Sequence, residues 1–222
     1  MTIMFEFDIS LRGVVEPAWR RIRISQNASF MDLHIAIQDA CGWQNYHLFR
    51  FEDNEGLAIA TIPDPDWADP DPDSEEVLIR SCFPASLRCT YLYDFGDGWT
   101  HDIVFCQVVE EEGKSFRKLV AGAQPFPLED SGGVWGWERC LRIAAHGPRD
   151  DEEREIADWL GGWSPESFNL PAARRAFDVQ APSPALPLDR DTDEVAPLGP
   201  RPVVVAHRRE PEQVREHEPC VA

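Results

Sequence analysis

The chain predicts an α+β fold, with an antiparallel-rich sheet, a β-grasp-like hairpin and helix at its start, and helices towards its C-terminus. Three observations carry this. Apolar residues alternate with polar ones from Phe5 to Leu11, a capping box opens an amphipathic run at Ser29, and Asp-Gly pairs punctuate a strand-rich middle.

Taken in order, Phe5, Phe7, Ile9 and Leu11 alternate with Glu6, Asp8 and Ser10, the period of a half-buried strand. Gly13 to Pro17 turns the chain, and Trp19 to Ile24 returns as an antiparallel partner with Ile22 and Ile24 on one face. Trp19, Arg21 and Arg23 take the other face, where the arginines are expected to pair with the surplus carboxylates. Ser29-Phe-Met-Asp32 is a capping box; Leu33, Ala36, Ile37, Ala40 and Cys41 recur at helical spacing until Gly42 stops the helix. Leu48–Glu52 and Leu57–Ile62 predict a second hairpin closed by Asp53-Asn-Glu-Gly56.

Between Asp64 and Glu76 stand seven acids, three prolines and no base, which predicts a mobile surface loop. Val77-Leu-Ile79, Arg88–Tyr93, Trp99–Val109 and Arg117–Val120 predict further strands. The Asp94–Gly98 segment supplies the tight turn of the central hairpin. Trp137, Cys140, Leu141 and Ala144 form the stripe of a helix ended by Gly147-Pro148. Asp150 to Glu153 begin another, with Ile156, Ala157 and Leu160 inward and Gly161-Gly162 as its stop, and Asn169 caps a last one that buries Phe177.

Residues 1–180 are thus one domain, and 181–222 a proline-rich acidic tail. The tail holds eight prolines and no aromatic residue, so it buries too little apolar surface to fold and is expected to be disordered. It carries eight acids against five bases, so most of the net charge of −19 stays with the folded part, at −16. That field repels phosphate backbones and argues against direct nucleic-acid binding. Only Lys114 and Lys118 are lysine, the coding habit of a GC-rich bacterial genome.

The start carries no basic stretch followed by an apolar run, and no segment has the length and apolarity to span a membrane. Six scattered cysteines without a Cys-x-x-Cys pair fit reduced, mostly buried thiols, and the expected location is the cytoplasm.

Two constellations bear on function. Asp94, Asp97 and His101 of the central hairpin, with Glu129 and Asp130 of the loop before Ser131-Gly-Gly133, offer carboxylates and one imidazole, a donor set for magnesium, manganese or zinc. The same groups have a structural use: the aspartates can accept turn amides, His101 can pack beside Trp99 and Ile103, and Glu129 or Asp130 can satisfy a helix start. The second constellation is an aromatic-rich surface around Trp43, Tyr46, Trp99, Trp135 and Trp137, flanked by His34 and His47. No Gly-x-Ser-x-Gly elbow, no Gly-Lys-Ser/Thr phosphate loop and no cysteine set beside a base is present.

Several segments in this order resemble the plasmid pRiA4b ORF-3-like family. They are Pro17–Ile22, Asp32-Leu-His34 with Ile37-Gln38, Gly42-Trp43, His47-Leu48, Tyr93–Trp99 with His101, Glu129–Gly133 with Gly136, and Trp159–Gly162. The family's usual arginine and Cys-Pro-Pro before Glu129-Asp130 are replaced here by Gln124, Phe126 and Leu128. The resemblance implies an α+β domain with no assigned reaction, whose members occur on plasmids, as passengers of insertion elements, and in bacterial and archaeal genomes generally. The expected role is a binding or adaptor domain with an unidentified protein partner. The alternative is a metal-dependent hydrolase using Asp94, Asp97, His101 and Glu129 or Asp130.

Overall fold

The computed structural model describes residues 1–63, 71–113, 115–163 and 168–179. Residues 64–70 of the acidic segment and all of the tail lie outside them, so the expectations placed there are not addressed.

The opening hairpin pairs β1 (Thr2–Leu11) with β2 (Trp19–Ser25), and α1 (Phe30–Cys41) follows. Ser29 caps the helix as its sequence predicts, and Gly42 closes it in the left-handed conformation at φ 83°. Next come β3 (Phe49–Glu52), β4 (Ala58–Thr61), β5 (Arg88–Tyr93), β6 (Trp99–Glu111) and β7 (Arg117–Ala123). The helices α2 (Gly133–His146), α3 (Asp151–Leu160) and α4 (Leu170–Val179) complete the order.

Among the described residues seven strands form one sheet, β4-β3-β5-β6-β1-β2-β7, with every pair antiparallel. The fold is therefore α+β with an antiparallel sheet. One sheet face carries Phe7, Ile9, Phe49, Phe51, Tyr91, Tyr93, Trp99 and Ile103, all but sealed from solvent, and packs with Leu33, Ala36 and Ile37 of α1. On the other face, Arg21 pairs with Asp8 at 2.6 Å, and Arg23 with Glu6 and Glu111 at 2.7 and 2.6 Å, as expected of those arginines. A buried Arg117–Asp39 pair at 2.5 Å joins β7 to α1, with Phe177 of α4 stacked against the guanidinium at 4.5 Å.

Both outer strands are covered. The outer edge of β4 bonds to residues 72–74 through Thr61 N to the Pro72 carbonyl and Ser74 N to the Thr61 carbonyl. On β7, the Arg174 guanidinium of α4 donates to the carbonyls of Leu119 and Val120.

Two local expectations are corrected. Val77-Leu-Ile79 is not a strand: a single 3-10 turn spans Ile79–Ser81 and only Leu78 makes an isolated bridge, to Ser29. Its apolar run instead seats Ile79 in the core. The described part of the acidic segment is docked, since Asp71 pairs with Arg50 at 2.5 Å and Ser74 accepts from Met31 N at 2.8 Å. Backbone partners on β4 and α1 hold it against its own charge.

Candidate functional site

The β5–β6 hairpin reverses at Asp94–Gly98, where Asp94 takes the left-handed conformation at φ 53°. Its Oδ1 accepts from Gly96 N at 3.0 Å and Asp97 N at 3.3 Å, which fixes the turn. Its Oδ2 faces His47 Nε2, 3.7 Å away. Asp97 reaches across to the loop before α2, accepting from Gly132 N at 3.0 Å. The hairpin carboxylate thus ties down the N-cap residue of α2, and neither Glu129 nor Asp130 caps the helix, which has no side-chain cap.

Glu129 and Asp130 approach from the other side. Asp130 Oδ1 lies 2.9 Å from His47 Nε2. Glu129 accepts from Gln44 N at 2.7 Å and from the Tyr93 hydroxyl. The same hydroxyl accepts from Tyr46 N at 3.0 Å. Tyr93 and Glu129 therefore tie the 43–47 segment, the end of β5 and the 129–132 loop together, and the Tyr93 phenol is held above its usual pKa by burial and by that carboxylate.

The acidic bend and the glycine-bearing loop thus share one environment, and the imidazole that joins them is His47, not His101. Strand parity explains the correction. His101 alternates with Trp99 and Ile103 on the core face of β6, so its ring is sealed among Trp43, Tyr91 and Phe126, with centroids 5.4, 5.3 and 5.8 Å away. Burial pushes its pKa down to about 3, so it is neutral. Phe126, standing where the family usually has cysteine, lies nearly parallel to that ring, at 15°.

The expected aromatic surface needs the same kind of correction. His34, Trp43, Trp99 and Trp137 are buried, so none of them presents a recognition face. His34 stacks on Phe49 at 3.7 Å and bonds Tyr91 and Asn45, each at 2.7 Å, and burial lowers its pKa to about 4. Trp43 donates its indole N–H to the Pro127 carbonyl at 2.8 Å, holding the 125–130 segment. These side chains are the floor beneath the site. Among the described residues the exposed aromatics are Tyr46, Phe95, Phe116, Trp135 and Trp159, the first two being chain neighbours of His47 and Asp94.

Beside the polar cluster lies a cavity of about 550 Å³, lined by Trp43, Phe126, Trp159, Trp163 and Phe168, with Glu129 and Asp130 on its wall. Arg20 closes it from within, with its guanidinium 3.8 Å from the Phe168 ring centroid and its Nε and Nη1 donating to four backbone carbonyls. Burial lowers the Arg20 pKa to about 10, which leaves it charged at neutral pH.

Sequence spacing places Asp94 and Asp130 at the site but misses His47 as their partner and Tyr93 as the brace. The available signals were His47 entering β3 beside two aromatics, and Tyr93 immediately before Asp94.

The thiols at Cys89 and Cys140 are buried and those at Cys41 and Cys106 are not in disulfides. Among the described residues no helix is long and apolar enough to cross a membrane.

Comparisons with known proteins agree with this architecture. The sequence profile of the plasmid pRiA4b ORF-3-like family matches residues 3–172. Uncharacterized protein y4hQ of Sinorhizobium fredii (strain NBRC 101917 / NGR234) is 30% identical over 170 residues, covering 74% of this chain and 86% of that protein. The crystal structure of MM3350, a protein of unknown function from Methanosarcina mazei Go1, is similar with a TM-score of 0.67 and 29% identity, covering 77% of this chain and 96% of that one. A match over most of the sequence, together with the fold, places the chain in the plasmid pRiA4b ORF-3-like family.

Proposed function

We propose that the chain is a binding or adaptor domain whose recognition face is centred on His47, Asp94 and Asp130. The observation that carries this reading is the meeting of three separate segments at that cluster, next to an aromatic cavity and with exposed Tyr46 and Phe95 as chain neighbours of His47 and Asp94. Binding is favoured over catalysis because Asp97 and Glu129 already accept from backbone amides and a tyrosine, which leaves them poor general bases. The net charge of −19 favours a basic partner. The family takes its description from a plasmid reading frame, which supports a link to mobile elements.

Peptide-display selection against the full-length protein tests the reading. Basic peptides are expected to enrich on the parent and to lose binding to a Tyr46→Ala/Phe95→Ala variant. Failure to enrich, or equal binding to that variant, overturns it. A second reading, metal-dependent hydrolysis, is favoured by the closeness of one imidazole and two carboxylates; turnover of an activated phosphodiester with manganese, abolished by His47→Ala, would establish it.

A further inference from the structure

We infer that His47, Asp94 and Asp130 form a binding site for one divalent cation, manganese or zinc. The inference rests on the recognition face described above and names part of what that face holds. One ligand atom from each residue lies within 4.8 Å of the other two, the spacing of donors that can share an ion. An imidazole suits zinc and carboxylates suit manganese, so the mixed set fits those two ions better than calcium.

The electrostatics point the same way from a separate direction. Several other carboxylates are paired with arginine: Asp8 with Arg21, Glu6 with Arg23, Asp71 with Arg50 and Asp39 with Arg117. At this site Asp94, Asp97, Glu129 and Asp130 gather, and among the described residues no arginine or lysine forms an ion pair with any of them. Asp94 is 8% exposed, so its charge is partly stripped of water. Such a concentration of carboxylates, met by backbone amides, the Tyr93 hydroxyl and the His47 imidazole but by no arginine or lysine ion pair, is the field into which a cation settles.

The donors are also held in place. Asp94 is oriented because its other oxygen accepts the two turn amides. The segment carrying His47 is anchored through Tyr46 N to the Tyr93 hydroxyl, and the loop carrying Asp130 through Glu129 to the same group. Three protein ligands leave positions open for water or for a donor from a bound partner.

Manganese electron paramagnetic resonance on the full-length protein, in physiological salt with millimolar magnesium to suppress diffuse binding to the acidic surface, decides the matter. One tight site per chain is expected, with a nitrogen modulation in the electron spin echo from a coordinated imidazole. His47→Ala should remove the nitrogen signal and raise the dissociation constant at least tenfold. Asp130→Asn should raise it similarly; Asp130 is exposed, so this variant keeps its fold even where a change at Asp94 does not. The exposed Glu55→Gln variant should match the parent. No tight site in the parent, or one indifferent to both substitutions, overturns the inference and leaves the cluster a hydrogen-bonded brace. Peptide selection run in chelator separates the two proposals, because basic peptides that still bind there support the recognition face without the ion.

Discussion

Two histidines lie buried and neutral under the site, and their burial makes stability depend on pH. Each has a folded pKa, about 4 for His34 and about 3 for His101, below the 6.5 of the unfolded chain. Below pH 6.5 the unfolded state therefore binds more protons, so stability is fully present above 6.5 and falls as the pH drops towards 4. Between pH 6.5 and 5 each histidine contributes up to about 2 kcal/mol of that loss. Urea unfolding at pH 7.5 and 5.0 is expected to show the loss, and His101→Phe to show less of it, because an aromatic ring suits a cage of Trp43, Tyr91 and Phe126 and takes up no proton. An equal slope in that variant would mean that carboxylates alone set the dependence.

The element that decides the site is the contact between the 94–98 turn and the start of α2. Gly133 sits at φ 67°, and a Cβ there would lie 2.5 Å from the Asp97 carbonyl oxygen. At Gly136 a Cβ would lie 1.9 Å from the Ser131 carbonyl oxygen. Both obstacles are backbone, so neither can move aside without carrying a loop with it. Gly133→Ala should destabilise the protein by roughly 2 kcal/mol or more, from the left-handed backbone and the clash together. It should also weaken manganese binding, since the loop carrying Asp130 must shift; calorimetric unfolding and the resonance titration read the two effects.

Much of this was legible in the sequence at the level of elements. The capping box at Ser29, the alternation in β1 and the Asp-Gly turn of the central hairpin are local signals, and each produced the expected element. What stayed hidden was which side of the sheet faces the core. The parity of Trp99, His101 and Ile103 was visible, but parity assigns residues to a face without saying that the face is sealed; α1 and the 125–130 segment seal it. Glu153 was hidden for a similar reason. Its place in the first turn of α3 suggests only a favourable interaction with the helix dipole, yet it is buried at the α2–α3 junction, bonded by Arg142 and Arg149 and held below the usual carboxylate range by those partners.

On the scale of the whole molecule, seven antiparallel strands in an open sheet leave two outer strands, each with backbone groups turned away from its one neighbour. Exposed groups of that kind offer a template on which another copy could add, the first step of ordered aggregation. Here the danger is met on both borders: the three-residue stretch that follows β4 crosses one, and an arginine on α4, over fifty residues on, occupies carbonyls on the other. A chain ended at Trp163 should therefore self-associate in light scattering, while one ended at Gln180 should behave like the parent. In this protein the final helix serves as a guard against polymerisation as much as a piece of the core.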